Sequence, residues 1–336
     1  MSDMHPGSYA TPVEDPLVLR PAPQISCPDT TRTIMRDVLI ALAPAAIAAT
    51  AFFGYRALLL IVTSIALSVA CEYLWCRLRG LPNTTGDLSA AVTGLLLAFN
   101  VPSTLPIGML AIGVFVAIIM TKELFGGLGK NFANPAIVGR IFLAVSFPAA
   151  MSSYVQPNRI LPLPTAYDLL SSATPLSPTA PPTTLAELFF GQHAGVLGET
   201  SALALLLGGI YLLARGVIGW QIPASYLGTV ALLSLVVGKS PIEQILSGGL
   251  MLGAFFMATD YVTSPATKRG KLVFGVGCGL IMCLIRFFGN MNEGVAFSIL
   301  FMNLLVPYID RLTANVPVGG EQARSRRRAK GGEAHE

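Results

Sequence analysis

Polar side chains stand within or beside the long apolar runs of this sequence: Lys122, Glu123, Arg140, Asp260 and Arg286, together with Asn100, Asn131, Asn134 and Asn303. A charge at membrane depth is costly unless it is paired or faces a cavity, so each is a candidate for binding or transport chemistry. Lys122 beside Glu123 reads as a self-neutralising interfacial pair, and Arg286, near the outer end of its run, as a snorkelling residue. Asp260 closes the apolar run Ala254 to Thr259, and Arg140 lies inside Asn134 to Leu143. For these two, structural pairing and ligand contact are equal readings. Gly126-Gly127-Leu128-Gly129-Lys130-Asn131 precedes a half-helix whose first residue is Pro135. Such a start can cradle an anion or a flat polar ring with backbone N–H groups, although glycines also serve as plain tight turns. The Gly-Lys-Ser/Thr ending of a Walker loop is missing. His5, His193 and His335 are scattered, and Cys27, Cys71, Cys76, Cys278 and Cys283 form no Cys-x-x-Cys pair, so neither a metal site nor a disulfide framework is expected.

The elements that position these groups follow from composition. The chain has 336 residues, 53% hydrophobic and 12% charged, with mean hydropathy +0.65. Soluble domains carry about 25% charged residues, which excludes a soluble enzyme. The expected class is an all-α polytopic membrane protein, since the short alternating segments of a β-barrel are missing. About ten segments are predicted, at 36–54, 57–76, 88–101, 107–121, 135–150, 199–214, 221–238, 244–259, 272–288 and 293–309. Those starting at Leu88 and Pro135 are too short or interrupted to cross unaided and read as half-helices or re-entrant pieces. The first 30 residues are polar and Pro-rich without an apolar signal region, so the first span is expected to direct insertion.

Alternating the joints between segments gives a test of topology, because Lys and Arg gather on the cytoplasmic side. With the N-terminus inside, the inner joints hold Arg20, Arg32, Arg77, Arg79, Lys122, Lys130, Arg215, Lys268, Arg269, Lys271, Arg311, Arg324, Arg326, Arg327, Arg328 and Lys330, while the outer joints hold Arg56, Arg159 and Lys239. The expected organisation is a cytoplasmic tail at 1–33, a first membrane repeat at 34–150, an extracytoplasmic loop at 151–198, a second repeat at 199–312 and a basic cytoplasmic tail at 313–336. That last tail reads as a topology determinant beside membrane lipid, and no nucleic-acid partner is expected.

The halves resemble each other. Leu88-Ser89 and the run after it resemble Leu246-Ser247 and its run, and Asn131 to Pro148 resembles Asn290 to Pro307. An odd number of segments per half makes this an inverted repeat, an arrangement that places a binding site near the midplane at broken helices.

The loop 151–198 contains Asp168-Leu169-Leu170-Ser171-Ser172-Ala173-Thr174-Pro175-Leu176. Composition alone makes Thr174 a threonine capping a turn before Pro175. The stretch resembles the Asp-x-x-Ser/Thr-Gly-Ala-Thr signature at which membrane subunits of the Rnf complex and of the Na⁺-translocating NADH:quinone oxidoreductase carry FMN. Further likeness to that family lies in Gly94 to Phe99, Lys122 to Asn131, Asn134-Pro135-Ala136 with Gly139-Arg140, Phe255 to Asp260 with Thr263-Ser264-Pro265, and Glu293-Gly294-Val295. It covers roughly residues 30 to 312, and the chain length is nearer the Rnf branch. One departure is Ser172, where the family usually has glycine.

The resemblance implies that Thr174 bears FMN through a phosphoester installed by a flavin transferase, with Asp168, Ser171, Ser172 and Ala173 as the attachment motif. It implies a urea-transporter-like fold in the bacterial inner membrane and a second, non-covalent flavin, riboflavin, inside the bundle. Candidate residues for that flavin or for an ion path are Lys122, Asn131, Asn134, Arg140, Thr259, Asp260, Thr263 and Ser264. The implied activity is electron relay in a Na⁺- or H⁺-translocating ferredoxin:NAD⁺ oxidoreductase. Iron–sulfur, NADH-binding and other FMN-carrying subunits would be its partners, and the chain would not be catalytic alone. The alternatives are a solute channel or transporter on the same inverted-repeat fold without redox chemistry, and a flavin-free scaffold for the other subunits.

Overall fold

The computed structural model describes residues 29–157, 171–172, 174–176, 183–289 and 294–314. Two long helices, α1 (Thr31–Phe53) and α2 (Tyr55–Arg79), form a hairpin at Gly54, which takes a left-handed φ of 73°. After a short 3₁₀ turn come α3 (Ser89–Phe99), α4 (Ile107–Phe115) running on as a π-helical segment Val116–Glu123, α5 (Pro135–Ser146) and α6 (Pro148–Met151). A two-stranded antiparallel sheet pairs β1 (Tyr154–Val155) with β2 (Ser171–Ser172). Then follow α7 (Leu185–Phe190), α8 (Ala202–Ala214), α9 (Gln221–Val236), α10 (Pro241–Leu246), α11 (Leu250–Leu252) with a π-helical segment Gly253–Met257, α12 (Lys268–Phe288) and α13 (Val295–Thr313).

Among the described residues, α1, α2, α12 and α13 are long and apolar enough to cross a membrane. They bury only 28 to 39% of their most apolar windows, and Leu58, Leu59, Val62, Leu280, Leu284 and Phe288 face outward. In water such surface would be an aggregation hazard; on an integral membrane protein it meets lipid. By contrast α3 is buried at all 11 positions, and at 1.5 Å per residue it spans about 16 Å, roughly half the hydrocarbon thickness. A half-helix in the bundle centre must satisfy its end groups inside protein. The Leu197 N–H donates to the Val101 carbonyl (3.1 Å) and the Gly198 N–H to the Phe99 carbonyl (2.9 Å), so the segment before α8 caps the broken end of α3.

The predicted segments correspond to α1–α5, α8, α9, α11 with its π-helical extension, α12 and α13. The helices α7 and α10 were not separately expected. Helix α1 packs against α8, and α5 against α13.

At Gly208 on α8 a Cβ would run into the Ala41 carbonyl oxygen of α1 and stand 3.0 Å from Phe256 Cζ. Small residues let membrane helices approach this closely. Gly208→Leu is therefore expected to destabilise the fold by about 1–3 kcal/mol, the usual range for overpacking. Gly228→Leu, at a position on α9 with nothing within 4 Å, should be neutral. The yield of monodisperse chain in detergent and its melting temperature check this; equal behaviour of the two variants would contradict it.

Candidate functional site

The two helix breaks meet at an inner cavity of about 70 Å³. Lys122 comes from the end of the first π-helical segment, Asn131 and Asn134 from the glycine-rich connection, and Thr259 and Asp260 from just beyond the second π-helical segment. The remaining walls are apolar, including Met35, Leu96, Leu212, Phe255 and Phe256. π-Helical turns are rare and often mark functional sites, and here one stands on each side of the cavity. Gly126, Gly127 and Gly129 have φ of 110°, 85° and 90°, which only glycine adopts freely. The Gly126 and Gly127 N–H groups donate to the carbonyls of Glu123 (3.1 Å) and Lys122 (3.0 Å). The loop is thus a tight turn at those amides.

Asn134 caps α5: its side-chain oxygen accepts from the Ala136 N–H (3.0 Å) and the Ile137 N–H (3.4 Å), while its Nδ2 donates to the Met257 carbonyl (3.3 Å). One side chain thereby starts a helix in the first half and ties it to the break in the second. Thr263 and Ser264 stand behind the cavity wall. The Thr263 hydroxyl donates to Asp260 Oδ2 (3.0 Å) and the Ser264 N–H to the Asp260 carbonyl (3.1 Å), so both fix Asp260.

Lys122 is buried, and Glu123 is only its second partner. Lys122 Nζ lies 3.1 Å from Glu72 Oε1 and 3.7 Å from Glu123 Oε1, and donates to Ser89 Oγ at 2.7 Å. Glu72, from the middle of α2, is fully buried and accepts from the Thr84 hydroxyl at 2.6 Å; its Oε2 has no hydrogen-bond partner among the described residues. The expected interfacial pair is instead an interior triad, because α2 brings a second carboxylate to the same ammonium. Leu88, just before α3, takes a left-handed φ of 67°. That strain is held by Asp87, which accepts from the Ser89 N–H (2.8 Å) and the Ser89 hydroxyl (2.6 Å).

A second, outer cavity of about 250 Å³ holds Thr174. It is 3% exposed and shares this cavity with Arg140, Tyr154, Val196, Met151 and Phe297. Strand β2, paired with β1 in the register Tyr154 opposite Ser172, leads the chain to Thr174. Ser171 and Ser172 make up β2, while Asp168 and Ala173 lie outside the described residues. Burial, followed by the nearby Glu199 charge, pushes the Tyr154 phenol up to about 12, so it stays a neutral hydroxyl at physiological pH.

Arg140 belongs here and not to the inner cavity. It lies six positions along α5 from Asn134, roughly 9 Å along the axis, and its Nη1 donates to Asn100 Oδ1 at 3.0 Å. Arg286 does not snorkel: it is 8% exposed and donates to the Gln244 carbonyl (2.7 Å) and the Ser247 carbonyl (3.4 Å). Glu199, in the segment ahead of α8, is 1% exposed, and its Oε1 accepts from the Val196 N–H at 3.1 Å. Sequence reasoning missed Glu72, Glu199 and Asp37, the last buried and 3.0 Å from Arg215. A lone carboxylate inside or beside an apolar run, the signal that singled out Asp260, also marks Glu72 and Asp37.

Residues 18–319 match the family model described as NQR2, RnfD, RnfE. The chain is 45% identical over 305 residues to the D subunit of the Na(+)-translocating ferredoxin:NAD(+) oxidoreductase complex of Acetobacterium woodii, with 88% of this chain and 93% of that protein covered. It is 40% identical over 318 residues to the D subunit of the proton-translocating ferredoxin:NAD(+) oxidoreductase complex of Clostridium ljungdahlii, covering 89% and 95%. To the D subunit of the ion-translocating oxidoreductase complex of Cronobacter sakazakii it is 38% identical over 326 residues, covering 84% and 93%.

Proposed function

The chain belongs to the NQR2, RnfD, RnfE family, and on that premise we propose that it is the flavin-carrying membrane subunit of an ion-translocating ferredoxin:NAD⁺ oxidoreductase complex. It acts there with iron–sulfur, NADH-binding and other flavin-carrying subunits, and is not catalytic alone. The observation that carries the flavin reading is the position of Thr174, buried on the wall of a cavity that also holds a buried arginine. A threonine hydroxyl is a weak nucleophile at neutral pH, so attachment of FMN requires a transferase. When bound, the flavin supplies one- and two-electron redox chemistry; the chain supplies its position and electrostatic surroundings. Thr174 holds the phosphate, Arg140 offers positive charge, and Met151 and Phe297 offer apolar wall.

The inner cavity is the proposed place of a second, non-covalent flavin. Its chemistry suits a flat ring with a polar edge: Lys122, Asn131, Asn134, Thr259 and Asp260 among aromatic and aliphatic side chains.

The membrane arrangement proposed is two five-segment inverted repeats with both termini cytoplasmic and loop 151–198 outside. Support comes from the pairing of α1 with α8 and of α5 with α13, and from a π-helical segment at the break in each half. It comes also from Arg215, an expected inner residue, pairing with Asp37 near the start of α1. The relatives' names specify sodium in one case and protons in another. The test is a denaturing gel of the full chain produced with and without its flavin transferase. A flavin-fluorescent band that depends on the transferase supports the redox reading, and no band in the co-produced chain overturns it in favour of a transporter or scaffold.

A further inference from the structure

We infer that the inner cavity selects its ligand by hydrogen-bond donors: Asp260 accepts from an N–H or O–H of the bound molecule, and a ring offering only acceptors, such as a quinone, is rejected. The inference rests on the reading above that a free flavin occupies this cavity, since a flavin carries an imide N–H and a chain of sugar-alcohol hydroxyls. The polar wall has spent most of its own protons within the chain. Around the Lys122 ammonium stand Ser89 Oγ at 2.7 Å, Glu72 Oε1 at 3.1 Å and Glu123 Oε1 at 3.7 Å. The Ser89 hydroxyl donates to Asp87 Oδ1 (2.6 Å), the Thr93 hydroxyl to the Ser89 carbonyl (3.0 Å) and the Thr259 hydroxyl to the Phe255 carbonyl (2.6 Å). The Tyr261 phenol donates to the Val217 carbonyl. Asn131 Nδ2 and Asn134 Nδ2 donate to the carbonyls of Ala133 (3.0 Å) and Met257 (3.3 Å), so each amide keeps one further N–H.

Acceptors are left over. Asp260 Oδ2 accepts from the Thr263 hydroxyl (3.0 Å) and Oδ1 from the Val262 N–H (3.4 Å). These two bonds hold the carboxylate in place before any ligand arrives, and a carboxylate has about four lone-pair sites, so each oxygen can accept again. Asp260 makes no ion pair among the described residues. The Thr93 and Thr259 oxygens also keep acceptor lone pairs once their protons are donated. Leu96, Leu212, Phe255 and Phe256 make up apolar wall that offers no side-chain hydrogen bond. In such surroundings an acceptor left empty costs more than it does in water. A donor on the ligand removes that cost, whereas a carbonyl oxygen set against the carboxylate adds repulsion. A site built on such a bond rejects an analogue lacking the donor more strongly than apolar fit alone can.

The test uses the full-length chain produced without its transferase and purified in detergent, so that no covalent flavin contributes. Riboflavin binding is read from the quenching of its fluorescence, and competitors from its release. 3-Methyllumiflavin keeps the ring but lacks both the imide N–H and the hydroxyls, and menadione is an acceptor-only quinone. Riboflavin should bind wild type at least about tenfold tighter than either. Asp260→Asn is nearly isosteric and puts an N–H where one acceptor oxygen stood, so the preference for riboflavin over 3-methyllumiflavin should fall at least about fivefold. A merely structural role for Asp260 would weaken both ligands alike and leave that ratio unchanged. Equal affinities in wild type, or an unchanged ratio in Asp260→Asn, overturn the inference. If Asp260→Asn does not fold, the wild-type series decides, and competitors as tight as riboflavin overturn it. No riboflavin binding by wild type removes the parent reading and this inference with it, whereas equal binding removes the inference alone.

Discussion

Thr174→Ala is expected to abolish the flavin band of the denatured chain and to reduce ferredoxin-linked NAD⁺ reduction by the assembled complex to background. The substitution removes one hydroxyl and a methyl from the wall of the outer cavity, with no charge or backbone change, so folding should survive within about 1 kcal/mol. Assembly with the other subunits should persist, which distinguishes loss of a redox group from loss of a scaffold. Thr174→Ser restores a hydroxyl at the same position and should recover part of the band. Activity at wild-type level in a Thr174→Ala complex without covalent flavin would contradict the relay.

The second large effect is structural. Lys122→Ala leaves Glu72 and Glu123 buried against each other, with no other cation in an ion pair with either among the described residues. Removing one partner from a buried ion pair costs about 3–5 kcal/mol, because the stranded charge must protonate, hydrate or disrupt its surroundings. Melting of the detergent-solubilised chain should drop accordingly. The companion Lys122→Met/Glu72→Gln removes both charges of the shorter contact and should recover much of the loss. Additive losses in the double variant would show that the 3.1 Å contact is not energetically coupled. Because Lys122 also lines the inner cavity, the double variant separates stability from any effect on a ligand there.

Apolar runs made the helices legible, since about 20 apolar residues in sequence leave a chain few options but a membrane helix. The same reading found the short segments at Leu88 and Pro135, now α3 and α5. It did not find the π-helical continuation of α4 or the separate α7 and α10, whose turns depend on neighbours rather than on hydrophobic period. At the site, Lys122, Asn131, Asn134, Thr259 and Asp260 were placed together from two distant stretches, and they do share a cavity. Arg140 was grouped with them because it is near Asn134 in sequence, yet the rise of α5 carries it toward Thr174. Glu72 was overlooked because its partner lies 50 residues away, and pairing across such a distance is written in the packing of α2 on the π-helical segment, not in local pattern.

The central claim, that Thr174 carries FMN as a phosphoester, is tested most directly by fragment mass. Trypsin should release residues 160–215 in one piece, since no Lys or Arg lies between Arg159 and Arg215. In the chain matured with its transferase, that piece is expected to gain the mass of one FMN less one water, with fragmentation locating the gain on Thr174. An unmodified fragment, or a flavin on Ser171, Ser172 or another hydroxyl, would contradict the claim.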